Sequence, residues 1–97
     1  MIGIDLGGSN LRAARLGGPT HREPVGEPRD PRSIVDKVAR VVEGLGEDGP
    51  VGVGIAAMLS DRRGTVANSP HLRWRDVPFG ELLAHRLGPR YQLGVYN

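Results

Sequence analysis

The sequence predicts an α/β fold built on one mixed five-stranded sheet with two main helices, and three observations carry that prediction. Residues Ile2–Leu16 read as a strand, a glycine turn and a returning strand. Asp30-Pro31 then opens a single clear amphipathic helix, with Ile34, Val35, Val38, Val41, Val42 and Leu45 at helical spacing. A glycine-rich apolar strand follows that helix, as the crossover to a parallel neighbour requires.

Each element has its own reason. In Ile2–Leu6, apolar residues alternate with Gly3 and Asp5, the period of a half-buried strand. Gly7-Gly8-Ser9-Asn10 is a turn and Leu11–Leu16 the return. Gly17-Gly18-Pro19 turns again, and Thr20–Val25, polar and flanked by proline, suits only an edge strand. The first three strands thus form an antiparallel meander. After the loop Gly26–Pro31, Asp30 suits the N-cap and Pro31 the first helical position, while Gly44 or Gly46 ends the helix. In Pro50–Met58, Val51, Val53 and Ile55 alternate with Gly52 and Gly54, predicting a central strand beside the first. Ser60–Gly64 is a polar turn, Thr65–Asn68 a short returning segment and Asn68–Leu72 a loop. Pro78 starts a second helix, Phe79–Leu87, burying Leu82, Leu83 and Leu87 and stopped by Gly88-Pro89. Tyr91–Tyr96 alternates as the last strand and delivers Asn97 to its carboxyl end, where parallel α/β sheets place binding residues.

Composition narrows the function. Ninety-seven residues make one domain or one piece of one, with a modest core. There is no cysteine, hence no disulfide and no thiolate metal site. The opening residues are too short and polar for a signal peptide and no apolar run would cross a bilayer, so a cytoplasmic protein without membrane contact is expected. The net charge is only +2; the pI near 9.7 arises because twelve of the thirteen basic residues are arginine. Arg62-Arg63 and Arg73-Trp74-Arg75 are the only basic clusters, and they read as solvated loop rather than as a nucleic-acid surface.

Two adjacent glycines with Ser9 and Asn10 can aim several donors at one anionic oxygen, as a backbone nest does. An ordinary hairpin with a Gly-Gly turn has the same sequence. Asp5 stands one residue before that strand's end, and a carboxylate beside a bound phosphate calls for a cation between them. It therefore reads as an anchor for Mg²⁺, reached through water. Gly52-x-Gly54-x-x-Ala57 fits a dinucleotide fingerprint but opens no helix, so that reading is rejected. His21, His71 and His85 have no metal-ligand spacing and read as surface residues.

Three segments together carry a resemblance. MIGIDLGGSNLRAAR, residues 1–15, resembles the phosphate-binding opening of the ROK family, the bacterial glucokinases with related sugar kinases and sugar-sensing repressors. Val51–Gly88 resembles that family's next block, a glycine-rich strand leading to a sugar-facing turn and an N/F-x-P-x-L-x-W segment. YQLGVYN resembles the strand entering the family's Asn-Asp pair.

The resemblance implies the N-terminal lobe of the actin-like, ribonuclease-H-like ATPase architecture, with a second lobe outside these residues. It implies ATP-dependent phosphorylation of a hexose, most often glucose, by a protein that is homodimeric at full length. Gly7, Gly8, Ser9 and Asn10 would hold the ATP phosphates, and Asp5 would face the Mg²⁺. Ala57, Met58, Asn68 and Ser69 would border the sugar, and Asn97 would bond one of its hydroxyls. Ser9 stands where the family usually has Thr, and Ala57 where it commonly has Gly. The family's general base is an aspartate directly after the residue matching Asn97, so these residues are expected to be inactive alone. A ROK-type transcriptional regulator would carry a helix-turn-helix ahead of the glycine turn. The first strand begins at Met1–Ile2, which favours the kinase. A stand-alone nucleotide-binding module is the third reading.

Overall fold

Alternation along the first strand, β1 (Ile2–Leu6), sends Ile2, Ile4 and Leu6 into the core and leaves Gly3 and Asp5 on the other face. The computed structural model describes every residue from Met1 to Asn97. β2 (Asn10–Arg15) returns antiparallel to β1 and buries Leu11 and Ala13, while β3 (His21–Pro24) is the polar edge strand beside it.

The long helix, α1 (Pro31–Gly44), begins as its sequence requires. The Asp30 carboxylate accepts the Ser33 amide at 3.1 Å and the Ser33 hydroxyl at 2.7 Å, satisfying a donor that the first turn leaves free. Gly46, at φ 71°, takes the left-handed step that ends it. Its buried stripe is Ile34, Val35, Val38, Ala39 and Val42, with Val41 and Leu45 at the margin.

β4 (Gly49–Ile55) lies parallel to β1, and β8 (Tyr91–Tyr96) parallel to β4, giving the order β3-β2-β1-β4-β8. The family resemblance implies the last strand, like β4, beside β1; instead it pairs with β4 and forms the edge opposite β3. α2 (Phe79–Leu87) buries Phe79, Gly80, Leu83 and Leu87 and packs beside α1. Arg86 ties the two helices by reaching Glu43 at 3.0 Å and Asp36 at 3.3 Å. The mixed sheet with its two helices is the N-terminal lobe of the actin-like ATPase fold, as expected.

A second, three-stranded antiparallel sheet departs from expectation: β5 (Met58–Leu59), β6 (Val66–Ser69) and β7 (Trp74–Val77). The strand predicted to run to Met58 stops at Ile55. There the Ala57 amide turns back onto the Ile55 carbonyl at 2.9 Å and throws the chain into this sheet. The Arg73-Trp74-Arg75 triplet is not a solvated loop. Trp74 is 4% exposed and tilts against Phe79 with ring centroids 5.6 Å apart, while its two arginine neighbours face out. Alternation runs only from Leu72 to Arg75, starting ahead of the strand, and it breaks at Asp76, whose φ is 52°.

Candidate functional site

Because β1, β4 and β8 are parallel, their carboxyl ends meet at one edge, with Asp5, Gly54 and Tyr96 in register. Ligands of open α/β sheets sit beyond such an edge. The structure brings three expected segments to it: the Gly7–Asn10 turn after β1, Ala56–Met58 after β4, and Asn97 after β8. The Ala56 amide donates to the Leu6 carbonyl at 3.1 Å, which sets the second segment directly against the first.

Within the turn the donors divide unequally. The Gly7 amide is spent on the Asn10 carbonyl at 3.0 Å, closing the hairpin. Gly7 therefore offers close approach but no free N–H. The amides of Gly8 and Ser9 donate to no protein acceptor, and Ser9 is exposed. Neither Gly7 nor Gly8 takes the left-handed backbone expected of a Gly-Gly hairpin turn. Gly8 is required for space instead: a Cβ there would stand 2.8 Å from the His71 ring. Asn10 begins β2 and is half-buried.

Asp5 is exposed on the helix-free face, with Arg12 its neighbour across the strand pair. Nowhere do three or more His, Cys or acidic side chains gather as a metal cage would need. A lone carboxylate fits Mg²⁺ that keeps most of its waters and takes its other ligands from a substrate's phosphates. It fits no all-protein site.

The residues expected to border a sugar do not share one environment. Met58 and Asn68 pair across β5 and β6, and both are exposed. Ala57 is half-buried beside the β4 end. Ser69 is fully buried, and its hydroxyl donates to the Ala56 carbonyl at 3.4 Å and accepts the Leu72 amide at 3.3 Å. That hydroxyl ties the second sheet to the segment leaving β4. Asn97 is exposed at the carboxyl end of β8.

Two residues to which the sequence assigned no role in the site stand in this edge. The Arg29 guanidinium reaches the Gly8 carbonyl at 2.8 Å and the His71 carbonyl at 2.9 Å. Trp74 returns its indole N–H to the Arg29 carbonyl at 2.7 Å. No local signal marks Arg29; the burial of Trp74 shows in sequence only as the short alternation Leu72–Arg75. His21 pairs with Glu23 on the edge strand and His85 is exposed on α2, both away from this edge. Asp61 accepts the Arg63 and Thr65 amides, each at 3.0 Å, and the Thr65 hydroxyl at 2.8 Å. Those bonds from Thr65, then Arg63, hold its carboxyl below the ordinary range and make it a loop cap.

The ROK family model matches residues 1–94, nearly the whole chain. The chain belongs to the ROK family. Two curated relatives are glucokinases, from Streptomyces coelicolor and Streptomyces lividans, each 35% identical over 95 residues. The match takes in 90% of this chain and 29% of each glucokinase, so this ROK chain spans under a third of those relatives. Among solved structures, the inorganic polyphosphate/ATP-glucomannokinase of Arthrobacter sp. strain KM superposes with a TM-score of 0.77 at 28% identity. That superposition covers 96% of this chain and 42% of the glucomannokinase. No helix here is long and apolar enough to cross a membrane.

Proposed function

We propose that these residues form the phosphate-donor half, and one wall of the acceptor site, of an ATP-dependent hexose kinase acting on glucose. The observation that carries this reading is the pair of adjacent, unpartnered amides at Gly8 and Ser9, one turn beyond β1. Phosphoryl transfer is chiefly positioning and charge stabilisation, so a donor site needs fixed N–H groups more than reactive side chains. The Gly8 and Ser9 amides take the terminal phosphate oxygens, with the Ser9 hydroxyl beside them. Asp5 orients waters of a Mg²⁺ ion, and that ion, when bound, neutralises charge on the phosphate oxygens.

Asn97 and Asn68 are exposed amides at the same end of the molecule, suited to sugar hydroxyls. Glucokinase and glucomannokinase relatives support a hexose as the acceptor. The base that takes the acceptor's proton is proposed to be a carboxylate outside these residues, so the 97-residue chain binds without turning over.

Calorimetry on the chain with ATP tests the reading. Heat of binding is expected with Mg²⁺ present, and Asp5→Asn is expected to weaken it about tenfold by removing the anionic partner of the ion. No heat at millimolar Mg·ATP would overturn the donor assignment. Release of ADP in the presence of glucose would overturn the claim that the base lies elsewhere.

A further inference from the structure

We propose, resting on the donor-site reading above, that Arg29 is a positioning residue: it aims the Ser9 amide at the donor phosphate and couples donor occupancy to the second sheet. The argument starts from the peptide plane. The Gly8 carbonyl and the Ser9 N–H belong to one planar trans unit and point in opposite directions. Whatever holds the carbonyl oxygen therefore fixes where the amide proton points. Arg29 Nη1 holds it at 2.8 Å, a charge-assisted bond that also polarises the N–H at the other side of the plane.

The same nitrogen donates to the His71 carbonyl at 2.9 Å, and Nε donates to Gly26 at 3.1 Å. The backbone of Arg29 is held as well, since its carbonyl accepts the buried Trp74 indole at 2.7 Å. The side chain is only 20% exposed, with Glu27 3.7 Å from Nε. On its far side the Gly8 Cα lies against the His71 ring, so closely that a Cβ would stand 2.8 Å from it. One side chain thus spans the Gly7–Asn10 turn, the loop after β3 and the link between β6 and β7. Displacing the Gly8–Ser9 plane by binding at Ser9 must shift Arg29, and with it the hydrogen bond of Trp74.

Lysine cannot replace it. An ammonium on a flexible stem lacks the planar fork that engages Gly8 and Gly26 from different nitrogens. A residue that merely stabilised the loop would change the melting temperature and leave the path from Ser9 to Trp74 intact.

The test is a titration of the ¹⁵N-labelled chain with Mg·ATP, followed by NMR, for wild type, Arg29→Lys and Arg29→Ala. The chain has one tryptophan, so the indole signal is unambiguous. In wild type the Ser9 amide and the Trp74 indole are expected to shift together along one binding curve. In Arg29→Lys, Mg·ATP is expected to bind about tenfold more weakly, with the Ser9 shift retained at saturation and the indole shift lost. If the lysine variant is folded, binds as wild type does and keeps the indole shift, the proposal is wrong while the donor site stands. If wild type itself binds no Mg·ATP, the donor reading and this one fall together. Arg29→Ala must reproduce the lysine result more strongly; a weaker effect than lysine's would also overturn it.

Discussion

The Gly7–Asn10 turn and the β5–β7 sheet lie at the same edge of the molecule but are held in opposite ways. The turn is closed locally by the Gly7 amide on the Asn10 carbonyl three residues away, and only its Gly8 and Ser9 carbonyls take distant donors, Arg29 and Val25. The second sheet is held by side chains reaching partners outside it: Trp74 on Arg29 and on Phe79, and the Ser69 hydroxyl on Ala56. A turn of the first kind costs little ordering entropy and presents free donors. A sheet of the second kind is only as firm as a few long-range contacts.

The sharpest way to break this comparison is Trp74→Ala. It removes the buried ring and leaves the Arg29 carbonyl without its donor, so a loss of about 3–5 kcal/mol is expected. Hydrogen exchange should show β6 and β7 opening first while β1 and β2 stay protected. Uniform loss of protection would mean that the two regions are one cooperative unit. Gly80→Ala is next. A Cβ there would stand 1.7 Å from the Arg63 carbonyl oxygen, a backbone atom that cannot swing aside. Chemical denaturation should register a loss of about 3 kcal/mol.

Gly8→Ala sharpens the other side. The clash is with the base of the His71 side chain, Cγ at 2.8 Å and Cβ at 3.1 Å, which clears only if its loop shifts, so stability should fall by about 2 kcal/mol. Adding His71→Ala should restore it. If the double variant is no more stable than the single one, space for the ring is not what Gly8 provides.

The mildest effect concerns acid. Asp30 and Asp61 are held below the usual carboxylate range by bonds from Ser33 and Thr65 respectively, and Glu43 by its bond from Arg86. A carboxyl lowered on folding contributes stability that is present above its unfolded pKa and lost as pH falls through the folded value. Melting temperature should therefore hold from neutrality down to the ordinary carboxylate range, then decline as pH falls on through the lowered values. Asp30→Asn should flatten part of that decline; an unchanged acid limb would refute the cap's role.

How much of this was legible follows from the range of each interaction. β1, β2, α1 and β8 were readable because local devices define them: alternation, the Asp30-Pro31 cap and Gly46. Gly7, Gly8, Ser9 and Asn10 with Asp5 were named as donor-site candidates from the glycine turn and the family resemblance; that only the Gly8 and Ser9 amides are left free was not legible. The second sheet was not, because β5 has two residues and β7 carries charges on either side of its tryptophan. Backbone steps such as φ 60° at Arg73 and φ 52° at Asp76 sit there in residues that rarely adopt them. The burial of Ser69 was not legible, because its hydroxyl partners include Ala56, thirteen positions back. Arg29 was invisible altogether: its partners lie 21 and 42 positions away.

Everything functional depends on the two free amides between β1 and β2. Mapping Mg·ATP onto the ¹⁵N spectrum of the chain addresses them directly. The account predicts the largest shifts at Gly8 and Ser9, smaller ones at Gly7, and their loss when Mg²⁺ is withdrawn. Shifts centred elsewhere, or none at millimolar nucleotide, would contradict it.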